Sequence, residues 1–269
     1  MAIDQGLTGV GQVSNESNFP AFSWPSGKRG AVSLSFDDAR MSQADIGLPL
    51  FDTHGVRVTF YTTSLNIEQR LAGWKQAAAD GHEIGNHSVT HPCTGNYPDF
   101  RNNALENYTL EMMARELDGA NAQIESLLGV KPRTFAYPCG LKFVGKGRNV
   151  KSYVPLVAER FLAGRGYLDE AANDPTICDL AQALGTPFDD LDFEKMKKLV
   201  DDAGQSGRWV IFVGHDIGSR AHQTTGVREL EALLEYLTKP DTAIWLDTVA
   251  AVASYIQTER DAEGKAPFH

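Results

Sequence analysis

The chain reads as an α/β protein of parallel strands joined by crossover helices, arranged as an open sheet or a barrel. Short apolar, β-branched segments alternate with amphipathic helical ones along nearly all of its 269 residues. No low-complexity linker or internal repeat breaks the rhythm, so residues 1–269 are expected to form one domain, with 1–24 as an irregular Gly-, Ser-, Asn- and Pro-rich arm. The residues able to do chemistry follow Phe36, Ile84, Ala136 and Val213, all at predicted strand ends, which in a barrel converge on one rim. Periodicity alone does not separate the closed form from the open one.

Taken in order, Ala31–Phe36 is a buried strand and Val56–Thr62 a second, rich in β-branched and aromatic residues. Between them Asp45–His54 forms a short helix stopped by Gly55. Gln69–Asp80 is helical and closed by Gly81. In Leu110–Leu128, residues Leu110, Met113, Leu117, Ala120, Ile124 and Leu127 follow the 3.6-residue period, and Gly129 terminates the helix. Thr134–Pro138 is a strand, and Val154–Leu162 and Glu194–Ala203 are helices. Trp209–Gly214 is a strongly apolar strand, with Trp209 a core residue. Helix Glu229–Leu237, strand Ala243–Leu246 and helix Val249–Ile256 complete the series.

Bulk properties narrow the function. A formal charge of −10, from 25 basic and 35 acidic residues, with no concentrated run of Lys and Arg, argues against a nucleic-acid surface. No run of 18 apolar residues offers a membrane span, and Met1–Asn18 shows no basic-then-apolar signal pattern, so no secretory signal is expected. Of three cysteines, Cys93 and Cys139 lie near candidate site segments and could meet in space; each is expected as a buried free thiol. Oligomeric state is not readable.

The chemical residues form a constellation. Ser33–Asp38 ends an apolar run in two adjacent carboxylates, and His87 and His91 lie four residues apart, where a helical turn or tight loop puts them on one side. One carboxylate and two imidazoles with open positions suit catalytic zinc and related transition metals, and the second carboxylate is left free to act as a base. Gly214-His215-Asp216 adds a possible acid. His82 and Glu83 are expected to face outward at a helix end and turn, and Asn86 to bind a ligand or hold its turn.

These residues resemble the polysaccharide deacetylase family of metal-dependent carbohydrate esterases. Ser-Phe-Asp37-Asp38 is similar to its first motif, His87-Ser-Val-Thr-His91-Pro92 to its second, Phe135-Ala-Tyr-Pro138-Cys-Gly140 to its third and Val213-Gly-His215 to its last. The resemblance spans about residues 31–256 and implies a distorted, incomplete (β/α) barrel. It implies that Asp38, His87 and His91 hold a divalent metal, Zn2+ foremost, with Co2+, Ni2+ or Mn2+ as alternatives. It implies Asp37 as catalytic base, His215 as catalytic acid and the Tyr137 backbone N–H as an oxyanion donor. The implied partner is an acetylated oligo- or polysaccharide losing acetate from an N- or O-linked group; alternatives are a small-amide hydrolase and a catalytically silent carbohydrate binder. The chemistry is sound on its own terms: an attacking water must lose a proton to a nearby carboxylate, and a departing amine or alkoxide must gain one.

One departure stands out. The family's third motif carries an arginine that orients the base, and Ala136 occupies that position. Arg165, in Ala163-Gly-Arg165-Gly-Tyr167, is the candidate substitute, the alternative being a solvated or packing arginine beside a glycine turn. Tyr137 and Tyr167 are expected to line a cleft, and the basic stretch Lys142–Lys151 to be a flexible loop beside it.

Overall fold

The computed structural model describes residues 22–219, 221–262 and 264, so most of the expected N-terminal arm lies outside the described residues. Strand β1 (Gly30–Asp37) runs through the middle of the sheet with all eight residues buried. Alternate side chains leave a strand on opposite faces. Val32, Leu34 and Phe36 join the large apolar cluster with Phe51, Phe60 and Leu233. Ser33 and Ser35 belong to the other face. There Ser33 Oγ accepts from Trp209 Nε1 at 3.0 Å, and Ser35 Oγ donates to the Phe212 carbonyl at 2.6 Å, so neither buried hydroxyl lacks a partner. The same alternation places Asp37 on the inner face.

The other strands of this sheet are β2 (Thr59–Thr62), β3 (Glu83–Asn86), β4 (Thr134–Ala136), β5 (Ala163–Arg165), β6 (Thr186–Pro187), β7 (Trp209–Gly214) and β8 (Ile244–Leu246). All pair in parallel, in the order β5-β4-β3-β2-β1-β7-β6, with β8 beside the start of β1. The free ends approach one another: Arg165 bridges to Ala183, and Gly166 N donates to Ala183 O at 2.7 Å. The sheet is thus curled into an open half-barrel, which decides between the two forms left open by periodicity.

Crossovers carry helices α1 (Leu48–His54), α2 (Leu71–Ala79), α3 (Leu110–Leu128), α4 (Val154–Ala158), α5 (Phe193–Ser206), α6 (Val227–Leu237) and α7 (Val249–Ala262). Helix α3 begins where Thr109 Oγ1 caps Met112 N, and it ends at Gly129 in the left-handed region. It buries Met113, Leu117, Ala120 and Ile124, as its period requires. Among the described residues no helix is long and apolar enough to cross a membrane.

Three expectations need correction. Helix α4 stops at Ala158 rather than Leu162, because the chain turns to bury Phe161 and Leu162 N donates to Arg133 O at 2.8 Å on the way into β5. Lys142–Lys151 is not a structureless loop: Phe143–Val144 pairs antiparallel with Lys151–Ser152. His82 and Glu83 do not face outward. The His82 ring packs among Phe51 and Phe60, and its Nδ1 accepts from Val58 N at 3.2 Å. The Glu83 carboxylate accepts from Thr59, Thr134 and the Ala250 backbone at the start of α7, where a helix N-terminus favours negative charge.

Candidate active site

At the carboxyl end of β1 the chain leaves the sheet through Asp38 (φ 76°) and Ala39 (φ 52°). Two successive non-glycine residues in the left-handed region store strain, a feature that concentrates at functional sites. The turn separates the two carboxylates. Asp37 remains buried at the strand end, and Asp38 enters the cleft with its side chain 22% exposed.

His87 follows β3 directly. Its Nδ1 lies 2.9 Å from the Ala136 carbonyl at the end of β4, so that nitrogen carries the proton and Nε2 keeps a free lone pair. The next residues form a tight loop rather than a helical turn, with Ser88 (φ 64°) and His91 (φ 51°) in the left-handed region. Asn86 Oδ1 accepts from Ser88 N, Ser88 Oγ from His91 N, and Glu116 on α3 from the amides of Val89 and Thr90. Asn86 therefore holds the turn. The outcome is that His87 Nε2 and His91 Nε2 stand 3.6 and 3.7 Å from the same oxygen, Asp38 Oδ1.

Those separations suit a single ion. Three ligands about 2.0–2.2 Å from a tetrahedral centre lie a little over 3 Å apart, and here the three donor atoms fall within 4.8 Å of one another. Electrostatics suit it as well. Burial, then the neighbouring His87, depress the His91 imidazole to about 4, so it is neutral at neutral pH. Burial opposes ionisation of Asp38, but His87, His91 and Arg40 outweigh it and hold the carboxyl down at about 2.

Arg165 on β5 stands directly opposite Ala136 in the β4–β5 register. Its side chain is fully buried, and Nη2 donates to Asp37 Oδ1 while Nη1 donates to Gly166 O at 2.9 Å. The guanidinium also lies 4.8 Å over the ring of Tyr61, the residue paired with Asp37 across β1 and β2. The arginine missing from β4 is thus matched by one on the neighbouring strand, and the small Ala136 side chain leaves the space open. Gly185 helps, since a Cβ there would sit 2.6 Å from Arg165 Cδ.

His215 follows β7 at the opposite side. Its Nδ1 is 2.6 Å from Asp189 Oδ2, while Asp189 Oδ1 accepts from His215 N at 3.2 Å and Thr225 Oγ1 at 2.9 Å. Burial disfavours the charged imidazole, but the Asp189 hydrogen bond and the Asp37, Asp189 and Asp38 charges prevail and raise its pKa. Gln43 Nε2 donates to the Asp37 carbonyl at 2.5 Å and to the His215 carbonyl at 2.8 Å, tying the two strand ends together.

The Tyr137 expectations do not survive the geometry. Its backbone N–H donates to Arg165 O at 3.0 Å within the sheet, and its buried ring directs the hydroxyl to Ala181 O at 2.6 Å. Pro138 has no N–H, so the next amide is that of Cys139 (φ 54°), which borders the cleft. The free-thiol expectation fails too. Cys93 and Cys139 are joined in a disulfide with Cα atoms 6.0 Å apart, linking the loop after His91 to the turn after β4. Tyr167 does line the cleft, with its ring against His215. The cleft holds about 690 Å³, and Leu65, Tyr97, Phe100, Leu168 and His222 complete its walls.

Sequence reading missed Arg40, Gln43 and Asp189. Asp189 carried a faint signal, because Phe188-Asp189-Asp190 repeats the Phe-Asp-Asp of residues 36–38.

Residues 25–152, which contain every candidate site residue expected from the sequence except Arg165 and His215, match the family model described as polysaccharide deacetylase. That stretch is a little under half of the chain. Its sequence is 37% identical over 93 residues to the uncharacterized protein YlxY of Bacillus subtilis (strain 168). That match covers 35% of this chain and spans about a quarter of the relative, 26% of its length. The fold is similar to that of a structure titled Puue allantoinase, with a TM-score of 0.63, 16% identity and coverage of 93% of this chain and 96% of the other. It is also similar to a probable polysaccharide deacetylase from Pseudomonas aeruginosa PAO1, with a TM-score of 0.61, 15% identity and coverage of 90% and 94%.

Proposed function

We propose that the chain is a metal-dependent hydrolase that removes acetyl groups from a carbohydrate and releases acetate. The observation that carries this reading is the pairing of each reacting group with its own partner around one cleft: Asp37 with Arg165, and His215 with Asp189. Asp38, His87 and His91 would hold a divalent ion, most suitably Zn2+. Bound there, the ion would acidify water and polarise the acyl carbonyl. Asp37, a buried carboxylate held by Arg165, takes the proton from the attacking water. His215, whose hold on a proton Asp189 strengthens, gives that proton to the departing nitrogen or oxygen. The Cys139 N–H, from a residue bordering the cleft, would take the role expected of Tyr137 and donate to the developing oxyanion.

A catalytically silent binder has no use for two such buried pairs, each of which removes charge from water. The second reading is hydrolysis of a small amide by the same groups, and the allantoinase among the fold relatives supports it. The cleft of about 690 Å³ lies within the ~300–1,000 Å³ range of small-ligand sites, so it admits either substrate. Metal analysis with an acetate-release assay on N-acetylated and O-acetylated glycans, set beside ammonia and amine release from small amides, separates them. Acetate from a glycan is the expected result. Hydrolysis of small amides alone would replace the first reading by the second, and bound metal with no hydrolysis of any kind would sink both.

A further inference from the structure

The two oxygens of Asp38 face different partners. Oδ1 looks toward His87 Nε2 and His91 Nε2. Oδ2 accepts from Arg40 Nε at 3.1 Å and from Arg40 Nη2 at 3.0 Å. The rest of the guanidinium is also engaged: Nη1 donates to Asp216 Oδ2 at 2.7 Å and Nη2 to Gln223 Oε1 at 2.8 Å. Asp216 is itself fixed, because its Oδ1 accepts from Ser42 Oγ at 2.6 Å. Arg40 borders the cleft, yet its donors are directed at protein groups, which leaves it poorly placed to recognise an anionic substrate.

The backbone gives this arrangement its purpose. Asp38 sits in a strained turn, and a carboxylate there could rotate about two side-chain bonds or offer both oxygens to one ion. Arg40 forks onto Oδ2 and removes both freedoms. We propose that Arg40 is a positioning residue for the metal centre. It fixes Asp38 as a one-oxygen ligand and ties it, through Asp216, to the strand end that carries His215. The proposal rests on the reading of Asp38, His87 and His91 as ligands. Holding one oxygen back keeps coordination positions open for water and a substrate carbonyl, which a catalytic site requires.

Two effects of Arg40 on a bound cation oppose each other. Its positive charge repels the ion, while its hydrogen bonds preorganise the ligand. The proposal holds that preorganisation wins, as expected for groups that orient metal ligands, whose loss weakens affinity by about 10–100-fold. Lysine cannot rescue, because a point-like ammonium does not span Asp38, Asp216 and Gln223 together.

The test is zinc retention by the full chain against a competing fluorescent chelator, in wild type, Arg40→Met, Arg40→Lys, Asp216→Asn and Asp38→Asn. Unfolding midpoints measured without metal serve as the folding control. Expected are a rise in Kd for Zn2+ of at least about tenfold in both Arg40 variants and a smaller rise in Asp216→Asn. Zinc held as tightly by Arg40→Met as by wild type, or more tightly, overturns the proposal while the loss in Asp38→Asn keeps the ligand reading intact. Unchanged affinity in Asp38→Asn overturns both. Should the Arg40 variants fail to fold, Asp216→Asn decides, and unchanged affinity in that variant counts against the clamp.

Discussion

Substituting Arg165 probes the most buried charge pair in the site. Its side chain is fully buried and that of Asp37 only 5% exposed, so neither group can recover hydration if its partner is removed. In Arg165→Met the Asp37 carboxylate loses a charge-assisted hydrogen bond, and Gly166 O loses its side-chain donor. Breaking a buried pair by deleting one member costs about 3–5 kcal/mol, which for a chain of this size lowers Tm by roughly 6–20 °C. Removing the carboxylate as well should restore part of that loss. In the double-mutant cycle with Asp37→Asn, the coupling energy is expected at about 2–3 kcal/mol, within the ~0.5–3 kcal/mol seen for interacting neighbours. Denaturant unfolding at pH 7 measures stability, and turnover with metal content measures function. Arg165→Lys keeps the charge but cannot fork between Asp37 and Gly166, and it should lose turnover while retaining metal. Additive unfolding energies within about 0.5 kcal/mol, or unchanged turnover in Arg165→Lys with metal intact, would refute the reasoning.

Asp37→Asn should retain metal and abolish turnover, whereas Asp38→Asn should lose metal affinity; identical effects from both would break the division of roles. The raised pKa of His215 sets the sign of a pH effect. Its stabilising contribution is complete below the unfolded value near 6.5, and it disappears as pH rises through the higher folded value. Activity requiring the protonated ring should fall over the same alkaline range, and Asp189→Asn should move that limb of the pH–rate profile to lower pH. A limb that stays put would remove Asp189 from the role. The Cys93–Cys139 bond closes a 46-residue separation, so the chain-entropy model assigns it about 4 kcal/mol. Unfolding midpoints of Cys93→Ser/Cys139→Ser and wild type should differ accordingly, and coincident midpoints would show that the bond adds nothing.

Local pattern alone determined much of this protein. The alternating run of β1, the His87-x-x-x-His91 spacing and His215 after an apolar strand each lie within a few residues of the element that presents them. Short-range periodicity therefore revealed both the strands and the chemistry at their ends. The groups that hold the chemistry in place were decided by tertiary structure. Sequence names Arg165 as a candidate partner for Asp37, but its place opposite Ala136 follows from the register in which two parallel strands pair. Asp189 reaches His215 from β6, Arg40 reaches Asp216 and Gln223 across the rim, and Cys93 meets Cys139 between two loops. His82 and Glu83 were misread for the same reason, since their burial depends on helices packed from elsewhere in the chain. A strand end announces itself through its own sequence, whereas a partner across the barrel is fixed by how the sheet curls. Curvature of that kind is a property of the whole packed core.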